Sequence, residues 1–151
     1  MRVRRILGAV DFSEPARVAL HYAADLARLF EAELTLFHVY HIPGYGMPEG
    51  SFILPGPETM SKFFARVDER LASWRAEAEA RGARSVDVAT AQGSPWHEIV
   101  ERARSGYQLI VVGTHGHTGL RHVLLGSVAD RVVRHAPCPV LTVRPSDESF
   151  A

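Results

Sequence analysis

The sequence is poor in cysteine, lysine and asparagine, carries no net charge, and has no long apolar run. A single cysteine, Cys138, excludes an internal disulfide and a zinc site built from cysteine alone, and it fits a reducing compartment. Seventeen basic residues balance seventeen acidic ones. That removes the electrostatic argument for a nucleic-acid binder, which normally shows a basic excess or stripe, and no nucleic-acid partner is expected. No stretch approaches the roughly 18 apolar residues of a membrane span, so no membrane partner is expected either. The opening MRVRRILGAV imitates a secretory leader, but its apolar run stops at Asp11 and no small-residue cleavage site follows. We therefore expect a mature cytoplasmic protein. Sixteen of the basic residues are arginine, with Lys62 the exception. Scarce Asn, Gln and Cys would suit a hot habitat, and genome base composition would explain the arginine bias equally well.

What is present suits one domain over residues 1–151. The 46% apolar and 23% charged fractions are those of an ordinary globule. A chain this long buries roughly 70% of its unfolded surface and needs no staples. Two hydrophobic periods alternate along it. Arg5 to Val10 reads as a strand buried on both faces. It stops at Asp11, after which Ser13 is a good N-cap and Pro15 falls in the first turn of a helix. Leu20, Ala23, Ala24, Ala27 and Phe30 share one face of that helix. Leu34 to Tyr40 reads as a second strand.

Residues 41–57 hold four Pro and four Gly, which marks a long loop or lid. A helix is predicted from about Glu58 to Arg81, with Phe64, Val67, Leu71, Trp74 and Ala78 as its core stripe and Gly82 as its C′ residue. Ser85 to Ala91 suits a third strand. Ser94-Pro95 opens a helix carrying Ile99, Val100 and Ala103, with Trp96 at its start unplaced. Leu109 to Val112 is a fourth strand closed by Gly113. A helix follows over roughly Val123 to His135, broken by Pro137-Cys138-Pro139, and Val140 to Val143 is the last strand. Cys138, between two prolines and without a basic partner in sequence, is expected to be buried and inert.

Alternating strands and helices imply an α/β fold, an open parallel sheet wound on both faces with right-handed crossovers. Ligands in such sheets bind at the C-terminal strand ends, where the strand order reverses. The two most distinctive sequences fall in the loops that follow the first and fourth strands.

Gly113-Thr114-His115-Gly116 is followed by nine residues and then Gly126-Ser127. Glycine after a strand permits positive φ and aims backbone N–H groups at an anion. The second pair, expected early in the next helix, adds a hydroxyl and the positive end of the helix dipole. Phosphate is the natural guest. About four charge-assisted N–H contacts at roughly 1.5–3 kcal/mol each, less the cost of association, would support micromolar binding without lysine. The same glycines could instead serve tight helix–sheet packing. A Walker loop would need a lysine here, and a dinucleotide fingerprint would need glycines where the chain has Val10-Asp11-Phe12-Ser13. Asp11 can accept from a ribose hydroxyl, hold Mg²⁺ beside phosphates, or merely support the helix cap. His115, His117 and His122 share one loop, but no nearby cysteine or carboxylate completes a ligand set.

The segment VVGTHGHTGLRHVLLGSVADRVVRHAPCPVLTV closely resembles the C-terminal signature of the universal stress protein family. ILGAVDFSEPARVALHYAADLA and LTLFHV resemble the same family's first strand, first helix and second strand. The likeness covers nearly the whole chain, with the loop 41–57 as its variable part. The family's ATP-binding branch is marked by Gly-x-x-Gly, nine residues, then Gly-Ser or Gly-Thr, a pattern that Gly113, Gly116, Gly126 and Ser127 satisfy. The resemblance implies a Rossmann-like, adenine-nucleotide α-hydrolase-like sheet of five parallel strands ordered 3-2-1-4-5. It implies ATP with Mg as cofactors, Asp11 beside ribose and metal, and Val39 meeting adenine through its backbone. Ala9, Ser13, Thr114, His115, His117 and Val128 complete the implied nucleotide-binding set. Ala9 departs from the family, whose members often carry another small residue or proline there.

Family members usually pair as homodimers through the last strand, here Val140, Leu141, Thr142 and Val143. That short apolar edge would invite such pairing, unless the tail from Arg144 covers it. The implied function is a nucleotide-dependent regulatory module of the stress response. The alternative is a slow Mg-dependent ATPase or phosphotransfer protein, for which Asp11, Arg121 and the histidines are candidates without forming a recognisable catalytic set. A nucleotide-independent interaction dimer is the third class.

Overall fold

The computed structural model describes residues 2–42, 45–46, 49–115 and 125–145. Its elements are β1 (Arg5–Ala9), α1 (Glu14–Phe30), β2 (Glu33–Tyr40), β3 (Tyr45–Gly46), β4 (Phe52–Ile53), α2 (Pro57–Ala80), β5 (Val86–Gln92), α3 (Pro95–Ala103), β6 (Leu109–Gly113), α4 (Ser127–His135) and β7 (Val140–Val143). The main sheet runs β5-β2-β1-β6-β7, all parallel, which is 3-2-1-4-5 when its own five strands are counted in chain order.

Strand alternation divides the apolar residues between two cores. Ile6, Leu34, Leu36, Val86 and Val111 face α1 and α2, whereas Leu7, Phe37, Ile110 and Val112 face α3 and α4. On α1 the buried stripe is Ala16, Ala19, Leu20, Ala23, Ala24 and Ala27, small enough to seat the helix closely on the sheet. Ser13 Oγ accepts from the Ala16 N–H at 3.3 Å and caps that helix. The second helix buries Val67, Leu71, Trp74 and Ala78 and ends before Gly82, whose φ of +97° calls for glycine.

Several sequence expectations need correction. Phe30 is 46% exposed, because it is the last residue of α1 and its ring clears the sheet. Phe64 lies at the rim rather than in the core, 36% exposed, with its ring edge-on to Tyr40 at 5.3 Å. The loop 41–57 contains the antiparallel pair β3–β4. The last helix begins at Ser127 and not near Val123: Gly126 at its N-cap is extended, with φ −68° and ψ 160°. Ser94 occupies the N-cap of α3 without a side-chain cap bond, so Pro95 alone marks that start. Cys138 is half-buried, and burial raises its thiol pKa, which keeps it protonated and a weak nucleophile. Trp96, unplaced by sequence, packs partly buried against His135 at 5.0 Å, over the α3–α4 side. No helix among the described residues is long and apolar enough to cross a membrane.

Candidate functional site

In the sheet order β5-β2-β1-β6-β7 the chain builds outward on one side of β1, then returns to build on the other. The loops leaving β1 and β6 therefore diverge and open a crevice at their C-terminal ends. A cavity of about 270 Å³ fills it. Nine of the residues singled out from sequence line this cavity. Ala9 and Asp11 come from the end of β1, Val39 from β2, Gly113, Thr114 and His115 from the end of β6, and Gly126, Ser127 and Val128 from the start of α4. Gly116 and His117 lie outside the described residues, as do Arg121 and His122. Ser13 is not in the lining: it is buried at the N-cap of α1. The wall that sequence reasoning missed is apolar, with Phe37, Pro95, Ile99 and Val112 closing one side. Strand parity could have found it, because Phe37 shares its face of β2 with Val39.

The two glycines act by close approach and not by positive φ. Neither is among the left-handed glycines of the described chain. A Cβ on Gly113 would stand 2.9 Å from the Pro15 carbonyl oxygen, in the backbone of α1. One on Gly126 would stand 2.8 Å from the Thr114 carbonyl oxygen. Two main-chain donors of the motif are also spent inside the protein. The Thr114 N–H donates to Val143 at 2.9 Å, and the Gly126 N–H donates to Thr114 at 2.6 Å. These bonds pin the loop between β7 and α4. The first turn of α4 remains: Ser127, Val128 and Ala129 line the cavity, and among the described residues no side chain caps that helix. Its amides and dipole present partial positive charge to whatever enters.

Among the described residues of the lining, Asp11 is the only carboxylate, and no lysine or arginine accompanies it. One of its oxygens accepts from the Ser13 N–H at 2.9 Å and from the Ser13 hydroxyl. It thus braces the cap of α1 while lining the cavity. Among the described residues no three His, Cys, Asp or Glu side chains gather to hold a metal ion. A cation at Asp11 would need oxygens from its ligand and from water, which suits Mg²⁺. Thr114 Oγ1 and His115 Nδ1 are 3.0 Å apart, joining the hydroxyl to the ring.

The opposite end of the cavity is set by the way β1 leaves the sheet. Ala9 pairs with Phe37, and the next ladder bond, from the Val10 N–H to the Phe37 carbonyl, is made at 2.9 Å. The chain then turns at Phe12, whose φ is +63°, a left-handed value uncommon outside glycine. Val39 has the parity of Phe37, so its N–H and C=O point to the side that β1 has vacated. They form a donor–acceptor pair on the cavity wall.

An open parallel sheet wound on both faces, with a cavity at its point of reversal, defines a Rossmann-like α/β protein. The profile of the universal stress protein family matches residues 2–144. A universal stress protein of Methanocaldococcus jannaschii is 37% identical over 145 residues, covering 93% of this chain and 82% of that one. The chain belongs to the universal stress protein family. Among solved structures, UspA from Lactobacillus plantarum superposes with a TM-score of 0.79 at 27% identity, covering 95% of this chain and 99% of that one. The universal stress protein from Archaeoglobus fulgidus in complex with dAMP gives a TM-score of 0.65 at 26% identity, covering 95% and 99%.

Proposed function

We propose that the cavity is an adenine-nucleotide site and that the protein is a homodimeric, ATP-binding regulatory module of the stress response, not a catalyst. One observation carries this reading: among the described residues, a single cavity has at Val39 a main-chain N–H and C=O that make no main-chain bond, and at Ser127 a helix N-terminus without a side-chain cap. The first suits the edge of adenine, which offers an acceptor nitrogen beside an amino donor, and the second suits phosphate. The Archaeoglobus relative in complex with dAMP supports the same reading. Chromatography of nucleotide released from purified protein, repeated after incubation with ATP and Mg²⁺, tests it. Intact ATP approaching one per chain is expected. Steady growth of ADP would promote the slow-ATPase alternative, and no uptake at all would overturn both.

Asp11 and the phosphate oxygens are the groups that would hold Mg²⁺, which would neutralise phosphate charge in a cavity where no lysine or arginine is found among the described lining residues. Replacing Asp11 with Asn keeps an acceptor for the Ser13 N–H while removing the charge. Titration calorimetry is expected to show that Mg²⁺ improves ATP affinity about tenfold in the parent, a difference of about 1.4 kcal/mol, and hardly at all in Asp11→Asn. An equal Mg²⁺ effect in both proteins would remove Asp11 from that role.

The proposed dimer joins the sheet edge at β7. Ile110 donates to Pro139 and Thr114 to Val143, so odd-numbered residues of β7 bond to β6 while Val140 and Thr142 face outward. Proline at 142 removes one outward donor and leaves the inner ladder intact. Light scattering after size exclusion is expected to give a dimer for the parent and a monomer for Thr142→Pro, with melting temperatures within a few degrees. A dimer in both would place the interface elsewhere.

A further inference from the structure

We propose that His38 is a positioning residue that holds the β1–β2 ladder open where the base docks; this rests on the adenine-nucleotide reading above. In a continued parallel ladder the carbonyl of Val10 would accept from the N–H of Val39, one step beyond the bond from the Val10 N–H to Phe37. That bond is not formed. The Val10 carbonyl accepts instead from His38 Nδ1, at 2.8 Å. A carbonyl can only accept, so this nitrogen carries the proton. The imidazole reaches the carbonyl from the α2 side of the sheet, while the Val39 side chain lies on the opposite face beside the cavity.

The ring is held from its other side. Phe12, turned by its left-handed backbone, packs on His38 with centroids 4.5 Å apart and meets Trp74 edge-on at 5.4 Å. Trp74 is a buried member of the α2 stripe. A chain of packed rings thus runs from the core to the one hydrogen bond that withholds Val10 from Val39. An N–H already engaged in the sheet could not read a base. One left unengaged by the sheet, beside its own carbonyl, is a preformed reader of the adenine edge. Its donor–acceptor order mismatches hypoxanthine, which reverses both groups.

Three measurements on the intact protein test this. Nitrogen-15 NMR of the parent is expected to show His38 as the Nδ1–H tautomer, and the Val39 amide exchanging freely in the absence of nucleotide. His38→Phe keeps a ring against Phe12 but removes the donor. In that variant the Val39 amide is expected to gain at least about tenfold protection as the ladder closes, and the preference for ATP over ITP is expected to fall about tenfold. His38→Asn, whose amide nitrogen can occupy the place of Nδ1, is expected to restore both. An Nε2–H tautomer, a protected Val39 amide in the parent, or unchanged exchange in His38→Phe would each overturn the role of His38, whether or not His38→Phe folds well. Closure of the ladder in His38→Phe with no nucleotide bound by either protein would leave the latch standing and refute the nucleotide reading.

Discussion

Alanine at Gly113 is expected to destabilise the protein by about 1–3 kcal/mol, and valine by more, although the position is neither left-handed nor in a helix. The added Cβ would meet Pro15 O at 2.9 Å, Pro15 C at 3.0 Å and Ala16 N at 3.2 Å. All three are backbone atoms in the first turn of α1, held by the Ser13 cap and by small alanines packed on the sheet. They cannot swing aside as a flexible side chain would. Gly8 is the internal control: its added Cβ would meet nothing closer than Leu36 Cδ2 at 3.5 Å, an ordinary contact. Denaturant and thermal unfolding should therefore rank Gly113→Ala well below Gly8→Ala, by roughly 3–10 °C in Tm for a domain of this size. Equal stabilities would show that α1 can retreat from β6, and that the close approach is not what requires glycine. The same clash bears on function. A bulky residue at Gly113 damages the scaffold as well as any anion site, so loss of nucleotide binding in that variant does not by itself separate the two.

The alternation of apolar periods made the parallel sheet legible, because both faces of β1 and β6 must be covered and only long side chains with strand parity do so. The main strands lie within about two residues of their expected bounds for that reason. The start of α4 was not legible. Val123 to Leu125 continue a helical pattern in sequence, but Gly126 is held extended by its bond to the Thr114 carbonyl, a contact twelve residues away. Phe30 and Phe64 were misplaced because helical spacing reports a face and not where that face runs off the sheet. In the site, Asp11, Gly113 and Gly126 were visible as residues with chemistry at strand ends. The role of glycine there was visible only as two alternatives, and close packing is the one their surroundings account for. Val39 came from family resemblance alone. The reason its backbone is open, a carbonyl diverted to a histidine ring, depends on the register between two strands and is carried by no local motif.

Proline at Val39 is expected to weaken binding of adenine nucleotide about tenfold to a hundredfold while the protein stays folded. In the middle of a sheet proline normally removes a ladder bond, and the fold suffers with it. Here the Val39 N–H points to the side vacated by β1 and makes no main-chain bond among the described residues, so the ladder has none to lose. The bonds that tie β2 to β5 at this level belong to neighbours of opposite parity, as the Gly93 N–H to the Tyr40 carbonyl illustrates at 3.4 Å. His38, which precedes the substitution, is already extended, as a residue before proline must be. What disappears is one donor on the cavity wall, together with the space its ring carbon takes. Val39→Ala keeps the donor and trims only the side chain, so it separates loss of the N–H from loss of apolar contact. Calorimetry with ATP and ITP is the measurement. Val39→Pro should lose most of the preference for ATP over ITP, whereas Val39→Ala should retain it at somewhat lower affinity. If Val39→Pro folds and keeps the parent's preference, the base is read elsewhere in the cavity, and the open ladder between β1 and β2 has another purpose.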